Sequence, residues 1–248
     1  MERKTVRKFG LIGKDIDYSF SRGYFADKFL KEHLEDCQYD NYDCPTVEHV
    51  FATLKQTDIV GLNVTIPYKE KIMVALDSLS PQAQEIGAVN TVVFRSDGSL
   101  EGHNTDAYGF EHALFDQWAP TLPKALILGT GGASKAVEYV LKKKGIHTQY
   151  VSRYSGEKTL TYDQLTPELM ATVGLIVNCT PLGTHPNTQQ APPIPYDTLT
   201  QQHFLFDLIY NPAITEFMKQ GQAKGAKTLN GMQMLIHQAE QSWSLWNS

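Results

Sequence analysis

Leu126-Ile127-Leu128-Gly129-Thr130-Gly131-Gly132-Ala133-Ser134 is the stretch that decides the reading of this chain. Three consecutive apolar residues make a buried-strand run, and the glycines follow it directly. Beyond them Ala133, Ala136, Val137, Val140 and Leu141 recur at helical spacing, and Gly145 supplies a stop. Strand, glycine turn and helix in direct succession are the setting in which a dinucleotide's pyrophosphate binds. Glycine permits the tight turn and the close approach of backbone N–H groups, and the helix N-terminus attracts the anion. Ser134 stands where the common fingerprint has a third glycine or an alanine, and it is still small. A glycine pair alone is a weak signal; the strand before it and the helix after it make it specific.

The end of the next strand selects the cofactor. Binders of NAD place an acid there, about 20 residues after the glycines, to hold the ribose hydroxyls. This chain reads Tyr150-Val151-Ser152-Arg153-Tyr154-Ser155, with an arginine and no acid. Arginine can pair with a 2′-phosphate and stack on adenine, which favours NADP. The competing reading is a plain surface arginine after a strand.

Outward from the turn, short apolar runs alternate with helical patterns. On the C-terminal side the strands are Lys124–Leu128, Thr148–Ser152, Leu175–Cys179 and Phe204–Ile209, with a helix over Ala133–Lys143. Helix-sized connections between strands imply parallel pairing through right-handed crossovers. Residues 186–195, rich in Pro, Gln and Asn, read as a surface loop, and Met232–Trp246 as a closing helix with Leu235, Ala239, Ser242 and Trp246 on one face. On the N-terminal side Phe9–Gly13, Gln38–Tyr42 and Ile59–Val64 read as strands. Between them fall a helix with Phe25, Phe29, Leu30 and Leu34 on one face and another around Val47–Leu54. A short helix is expected from Pro67, since proline suits a first helical turn. Val89–Phe94 and Leu100–His103 flank the turn signal Ser96-Asp97-Gly98-Ser99, which predicts a hairpin. A helix over Asp106–Phe115 and breaks at Pro120 and Pro123 follow. The fold class is α/β in two domains, with the boundary between residues 105 and 123.

Composition narrows the function. Across 248 residues the net charge is −5, and no dense run of Lys or Arg marks a nucleic-acid footprint. Lys142-Lys143-Lys144 closes a helix, where cations suit the dipole. Cys37, Cys44 and Cys179 form no C-x-x-C and no complete disulfide set, as expected of reduced thiols in the cytoplasm. The eight histidines include no metal-binding spacing, so no metal is expected. Met1-Glu2-Arg3-Lys4 leads into a strand rather than a signal segment, and no apolar stretch reaches transmembrane length.

Polar clusters stand where strands of the first half end. Asn63-Val64-Thr65-Ile66-Pro67-Tyr68-Lys69 places a lysine one turn into the expected helix, and Gly102-His103-Asn104-Thr105-Asp106 places an aspartate where a strand gives way to a helix. Singly these read as a solvated lysine and a helix N-cap. Further motifs stand in order: Ser19-Phe20-Ser21, Ala88-Val89-Asn90-Thr91, Asn178-Cys179-Thr180-Pro181-Leu182-Gly183, Asp207-Leu208-Ile209-Tyr210-Asn211-Pro212, Asn230-Gly231-Met232-Gln233-Met234-Leu235, and Gln238-Ala239. In these motifs and their order the chain resembles the shikimate dehydrogenase family along nearly its whole length.

That resemblance implies an α/β substrate domain with a mostly parallel sheet at residues 1–105. A Rossmann-like NADP-binding domain would follow at 106–231, and the helix at 232–248 would return to the first domain. Both ligands would lie in the cleft between them, which would close over them. The implied reaction is reversible hydride transfer between NADPH and the carbonyl of 3-dehydroshikimate, giving shikimate. Lys69 and Asp106 would flank the reacting oxygen as the acid/base pair. The residues leave open which of the two moves the proton; family precedent favours Lys69. Ser19 and Ser21, two apart on an extended segment, would bind the carboxylate. Thr65, Asn90, Thr105, Tyr210 and Gln238 would complete the substrate set. Gly129, Thr130, Gly131, Gly132 and Ala133 would hold the pyrophosphate, Ser152 and Arg153 the 2′-phosphate, and Leu208 and Gly231 the nicotinamide end. The family offers monomers and homodimers, with small molecules as partners rather than nucleic acid or membrane.

Two departures bear on this. Tyr18 and Arg22 replace the family's His and Pro around the serine pair, and Ser152-Arg153-Tyr154 replaces its Asn-Arg-Thr, with Glu157 and Lys158 following. The second puts the strength of the NADP preference in question, with Lys158 as an alternative phosphate partner. Two rival functions follow. A quinate or quinate/shikimate dehydrogenase using NAD or NADP is opposed by Ser21, where quinate specialists carry a bulkier threonine, and its NAD-using form by Arg153. A non-catalytic nucleotide-binding sensor is opposed by the retained Lys69, Asp106 and serines.

Overall fold

A computed structural model describes residues 6–17, 19–119, 122 and 124–248. The readings that fall on Met1–Lys4, Tyr18, Pro120 and Pro123 lie outside the described residues. The chain divides into two compact units, one of residues up to Thr105 with Ala239–Ser248, the other of Asp106–Gln238.

The first unit contains β1 (Arg7–Gly13), α1 (Phe20–Lys31), β2 (Cys37–Asp43), α2 (Val47–Thr53), β3 (Ile59–Val64), a 3₁₀ turn at Lys71–Ala75, β4 (Ser78–Leu79), α3 (Pro81–Ile86), β5 (Thr91–Phe94) and β6 (Leu100–His103). Its sheet runs β2-β1-β3-β5-β6-β4. β1 pairs in parallel with β2 and β3, and β4 with β6, while β5 is antiparallel to β3 and β6. The β5–β6 hairpin turns at Ser96–Ser99, where Gly98 adopts φ +87° and the Asp97 carboxylate accepts from the Ser99 N–H at 2.9 Å. Alternation along β1 sends Phe9 and Leu11 to a core with Phe25, Phe29, Tyr39 and Trp246, and Ile12 to one with Val50, Leu62, Ile72 and Val92. Both faces of the sheet are therefore covered.

The second unit holds α4 (Asp106–Phe115), β7 (Lys124–Leu128), α5 (Gly132–Lys143), β8 (His147–Ser152), β9 (Thr159–Thr161), α6 (Pro167–Met170), β10 (Leu175–Asn178), β11 (Phe204–Asp207), α7 (Glu216–Ala223) and β12 (Lys227–Leu229). Its sheet is fully parallel, in the order β12-β11-β10-β7-β8-β9. Numbered within the unit this is 6-5-4-1-2-3, a doubly wound sheet whose order reverses between β7 and β10. α8 (Met232–Trp246) begins in this unit and ends in the first. No helix of the described residues is long and apolar enough to cross a membrane.

The end of α8 is locked into the first unit by a missing side chain. A Cβ on Gly61 would lie 2.1 Å from the Trp246 indole, whose Nε1–H donates to the Val92 carbonyl at 3.1 Å. Gly61→Ala should therefore destabilise the protein by about 2 kcal/mol through overpacking. For a chain of this size that lowers the thermal midpoint by roughly 6 °C. An unchanged midpoint in calorimetry would show that the indole is not held there.

Several expectations need correction. Leu30 is 78% exposed; α1 buries Phe25 and Phe29, four apart, and Leu30 falls one residue off that stripe. No helix starts at Pro67. The Ile66–Pro67 peptide is cis, and residues 65–68 form a turn closed by Tyr68 N–H to Thr65 O at 2.9 Å. Burial of Tyr68, whose hydroxyl donates to the Cys44 carbonyl, fixes that turn and delays the helical segment to Lys71. Ser19 and Ser21 do not share an extended segment: Ser19 is the N-cap of α1, and Ser21 lies inside the helix. β11 stops at Asp207, whose side chain accepts from Ile209 N–H at 3.0 Å and turns the chain. The 186–195 segment is irregular, but Ile194 is buried in the core of the second unit.

Candidate functional site

In the first unit, register collects one end of the sheet. Asn63 at the end of β3 pairs with Thr91 at the start of β5, and Thr91 pairs with His103 at the end of β6. Thr65 and Lys69, Asn90, and Asn104 and Thr105 follow or precede those positions, so all emerge at that edge. The backbone fixes them further. Lys69 O accepts from Val89 N–H at 2.8 Å, and Thr65 N–H donates to Ile12 O at 2.8 Å. Asn90 is 2% exposed, and its carboxamide grips Thr105 twice: Oδ1 accepts from the Thr105 N–H at 2.6 Å, and Nδ2 donates to its Oγ1 at 2.9 Å. Asn104 Nδ2 donates to Ala88 O at 2.9 Å. Ser19 Oγ accepts from Ser21 N–H at 3.2 Å, capping α1.

Beneath Asn90 and Thr105 lies a buried polar group that the sequence did not single out. Ser242 of α8 meets Asn63 Nδ2 at 2.9 Å, Thr91 Oγ1 at 2.9 Å and Thr105 Oγ1 at 3.1 Å. The Tyr39 hydroxyl donates to Asn63 Oδ1 at 2.8 Å. Each member satisfies another, so the group holds Asn90 and Thr105 in single rotamers. The only signal in the sequence was a serine on an otherwise apolar helix face.

Asp106 follows Thr105 as the first residue of α4 rather than as its cap, and it is buried. A carboxylate there suits the positive end of the helix. Tyr210 and Gln238 belong to the second unit; Gln238 is buried, and its Nε2 donates to Leu235 O at 3.0 Å.

In the second unit the glycine turn joins β7 to α5. Gly129 has φ +98°, and its N–H donates to Val151 O at 2.8 Å, one residue before Ser152. Gly131 is the N-cap of α5, and Gly132 its first residue. A Cβ on Gly131 would meet no atom within 4 Å, so the protein's own packing does not require glycine there. A ligand approaching the helix N-terminus would, which is the fit expected of a pyrophosphate. Ser134, the substituted third position, is fully buried and donates to Gly131 O at 2.6 Å, so its hydroxyl is satisfied inside the turn. Arg153 is exposed just past β8, 5.8 Å from the Tyr154 ring, and Lys158 is exposed as well.

Leu208 and Gly231 are brought together. Gly231 N–H donates to Ile209 O at 3.0 Å, and a Cβ on Gly231 would lie 2.1 Å from the Leu208 carbonyl oxygen. Below them Asp207 is fully buried, bonded by Asn178 Nδ2 at 3.0 Å, Ile209 N–H at 3.0 Å and Thr215 Oγ1 at 2.6 Å. Burial pushes its carboxyl up to about 6 against the pull of those three donors. The nearby Cys179 thiol and Tyr196 phenol are pushed up by burial and then by the Asp207 charge; Glu216 raises Tyr196 further.

A folded-state pKa above the unfolded one means that the folded state holds the proton longer. The associated stability is complete below the unfolded value near 4 and is lost as pH rises through about 6. For a shift of about 2 units the loss is about 3 kcal/mol. Asp207→Asn removes this titration. The stability of the variant relative to wild type should therefore rise by about that amount between pH 4 and pH 8, measured by urea unfolding. A difference flat with pH would show that Asp207 is not titrating there.

The doubly wound parallel sheet, with a glycine turn beside its switch point, defines an α/β protein with a dinucleotide-binding unit, joined here to a second α/β unit with polar side chains at one sheet edge. The family model for the shikimate dehydrogenase substrate binding domain matches residues 11–92. The shikimate dehydrogenase (NADP(+)) of Desulforamulus reducens is 34% identical over 96% of this chain and 88% of its own length. The crystal structure of shikimate 5-dehydrogenase from Thermus thermophilus with NADP(H) and shikimate superposes with a TM-score of 0.86 at 32% identity, covering 97% of this chain and 93% of that one. The quinate dehydrogenase of Corynebacterium glutamicum with NAD is also similar, at 27% identity and a TM-score of 0.85, covering 98% and 94%. This chain belongs to the shikimate dehydrogenase family.

Proposed function

We propose that this chain is an oxidoreductase that catalyses the reversible NADPH-dependent reduction of 3-dehydroshikimate to shikimate, a step of chorismate and aromatic amino acid biosynthesis. Membership of the family across both units is the observation that carries this reading. Residues 1–105, with the helix at 232–248, serve the substrate, and 106–231 serve NADP. NADPH, when bound, supplies the hydride. The turn Gly129–Ala133 holds its pyrophosphate, Ser152 and Arg153 its 2′-phosphate, and Leu208 and Gly231 its nicotinamide end.

Lys69 and Asp106 attend the reacting oxygen, and one of them moves the proton that accompanies the hydride. A lysine ammonium polarises the carbonyl by donating to its oxygen as negative charge develops there. Ser19, Ser21, Thr65, Asn90, Thr105, Tyr210 and Gln238 hold the carboxylate and ring hydroxyls. The Asn90–Thr105 bonds favour a rigid set of donors and acceptors, which rejects ligands lacking a hydroxyl because their partners would stay unpaired. The enzyme works in the cytoplasm on small molecules, as a monomer or homodimer.

The test is shikimate-dependent formation of NADPH by the purified chain. Its absence in the presence of NADP overturns the proposal.

A further inference from the structure

We infer that Asp207 is a positioning residue for the nicotinamide end of the cofactor, tying the segment after β10 to the segment after β11 through Asn178. This rests on the proposed NADP-binding function. Asn178 and Asp207 are the last residues of adjacent strands and face each other in register. Both are fully buried, and Asn178 Nδ2 donates to Asp207 Oδ1 at 3.0 Å.

Each side chain also turns its own chain. Asn178 Oδ1 accepts from Thr180 N–H at 3.0 Å and from its Oγ1 at 2.7 Å, while Asp207 Oδ1 accepts from Ile209 N–H at 3.0 Å. The Asn178 arm fixes the turn after β10 at Thr180. The Asp207 arm leads to Leu208, whose N–H donates to Asn178 O at 3.0 Å and whose carbonyl lies under Gly231. A third arm, Thr215 Oγ1 to Asp207 Oδ2 at 2.6 Å, anchors the N-cap of α7.

The choice of residue points the same way. Its partners donate to both carboxylate oxygens, which asparagine cannot accept, having one acceptor atom and one donor. A buried carboxylate whose hydrogen-bond partners are neutral donors lowers stability. The geometry it holds lies in the turns that follow β10 and β11 rather than in the core. The exchange of stability for local order is that of a functional position.

The experiment compares wild type with Asp207→Asn by calorimetric titration with NADP and, separately, with adenosine 2′,5′-bisphosphate, which has the adenosine end but no nicotinamide. Asp207→Asn should weaken NADP binding about tenfold, the size of one lost hydrogen bond to a charged group. The bisphosphate should bind both proteins within twofold. Equal weakening of both ligands would mark a merely structural role, and unchanged NADP binding would remove the role altogether. Thr215→Val and Thr215→Ser provide a second pair that leaves the carboxylate in place: Val should repeat the selective loss, and Ser should restore binding. Failure of wild type itself to bind NADP would refute the functional reading instead.

Discussion

Lys69→Ala should lower kcat for shikimate oxidation by roughly 10²-fold or more, the usual size of an acid/base contribution, with NADP binding retained. Lys69 follows β3 at the sheet edge where Asn90 and Thr105 stand, and its carbonyl is tied to Val89, next to Asn90. Truncation removes the side chain and leaves that backbone tie. Substrate binding, which we propose is spread over seven other side chains, should persist, so the loss should fall on kcat rather than KM. Lys69→Arg separates two roles. Arginine keeps the charge but cannot release its proton, so it should restore little if the lysine moves the proton. Near-normal kcat in Lys69→Ala would remove Lys69 from the chemistry.

Asp106→Asn should lower kcat by a similar factor, roughly 10²-fold. A rival explanation for this aspartate exists in the fold, since an acid in the first turn of α4 complements the helix dipole. That role is worth only about 0.5 kcal/mol of stability and would leave kcat untouched. Measuring kcat and the urea midpoint on the same preparation separates the two. A lowered midpoint with unchanged kcat would reduce Asp106 to a helix residue.

What could be read from the sequence follows the range of the interactions. The glycine turn was legible because strand run, glycines and helical repeat lie within about fifteen residues and each is locally determined. The hairpin at Ser96–Ser99 was legible for the same reason. Leu30, Pro67 and the Ser19–Ser21 pair were misread where two local patterns compete. Proline suits a helix start as well as a tight turn, and burial of Tyr68 decided for the turn. A serine pair reads as strand alternation until the N-cap bond to Ser21 N–H is seen. The Ser242 group was out of reach. Its partners Asn63 and Thr91 lie 179 and 151 residues away, and no local pattern announces such a contact. Asp207 and Asn178 stood inside the quoted motifs, yet only the register of β10 and β11 shows that they meet.

The central claim is that this is an NADP-dependent enzyme acting on shikimate, with Arg153 and Ser21 proposed as the residues that set it apart from a quinate dehydrogenase using NAD. Initial rates with shikimate and quinate, each with NADP and with NAD, test it most directly. The highest kcat/KM is predicted for shikimate with NADP; faster turnover of quinate, or a clear preference for NAD, would contradict it.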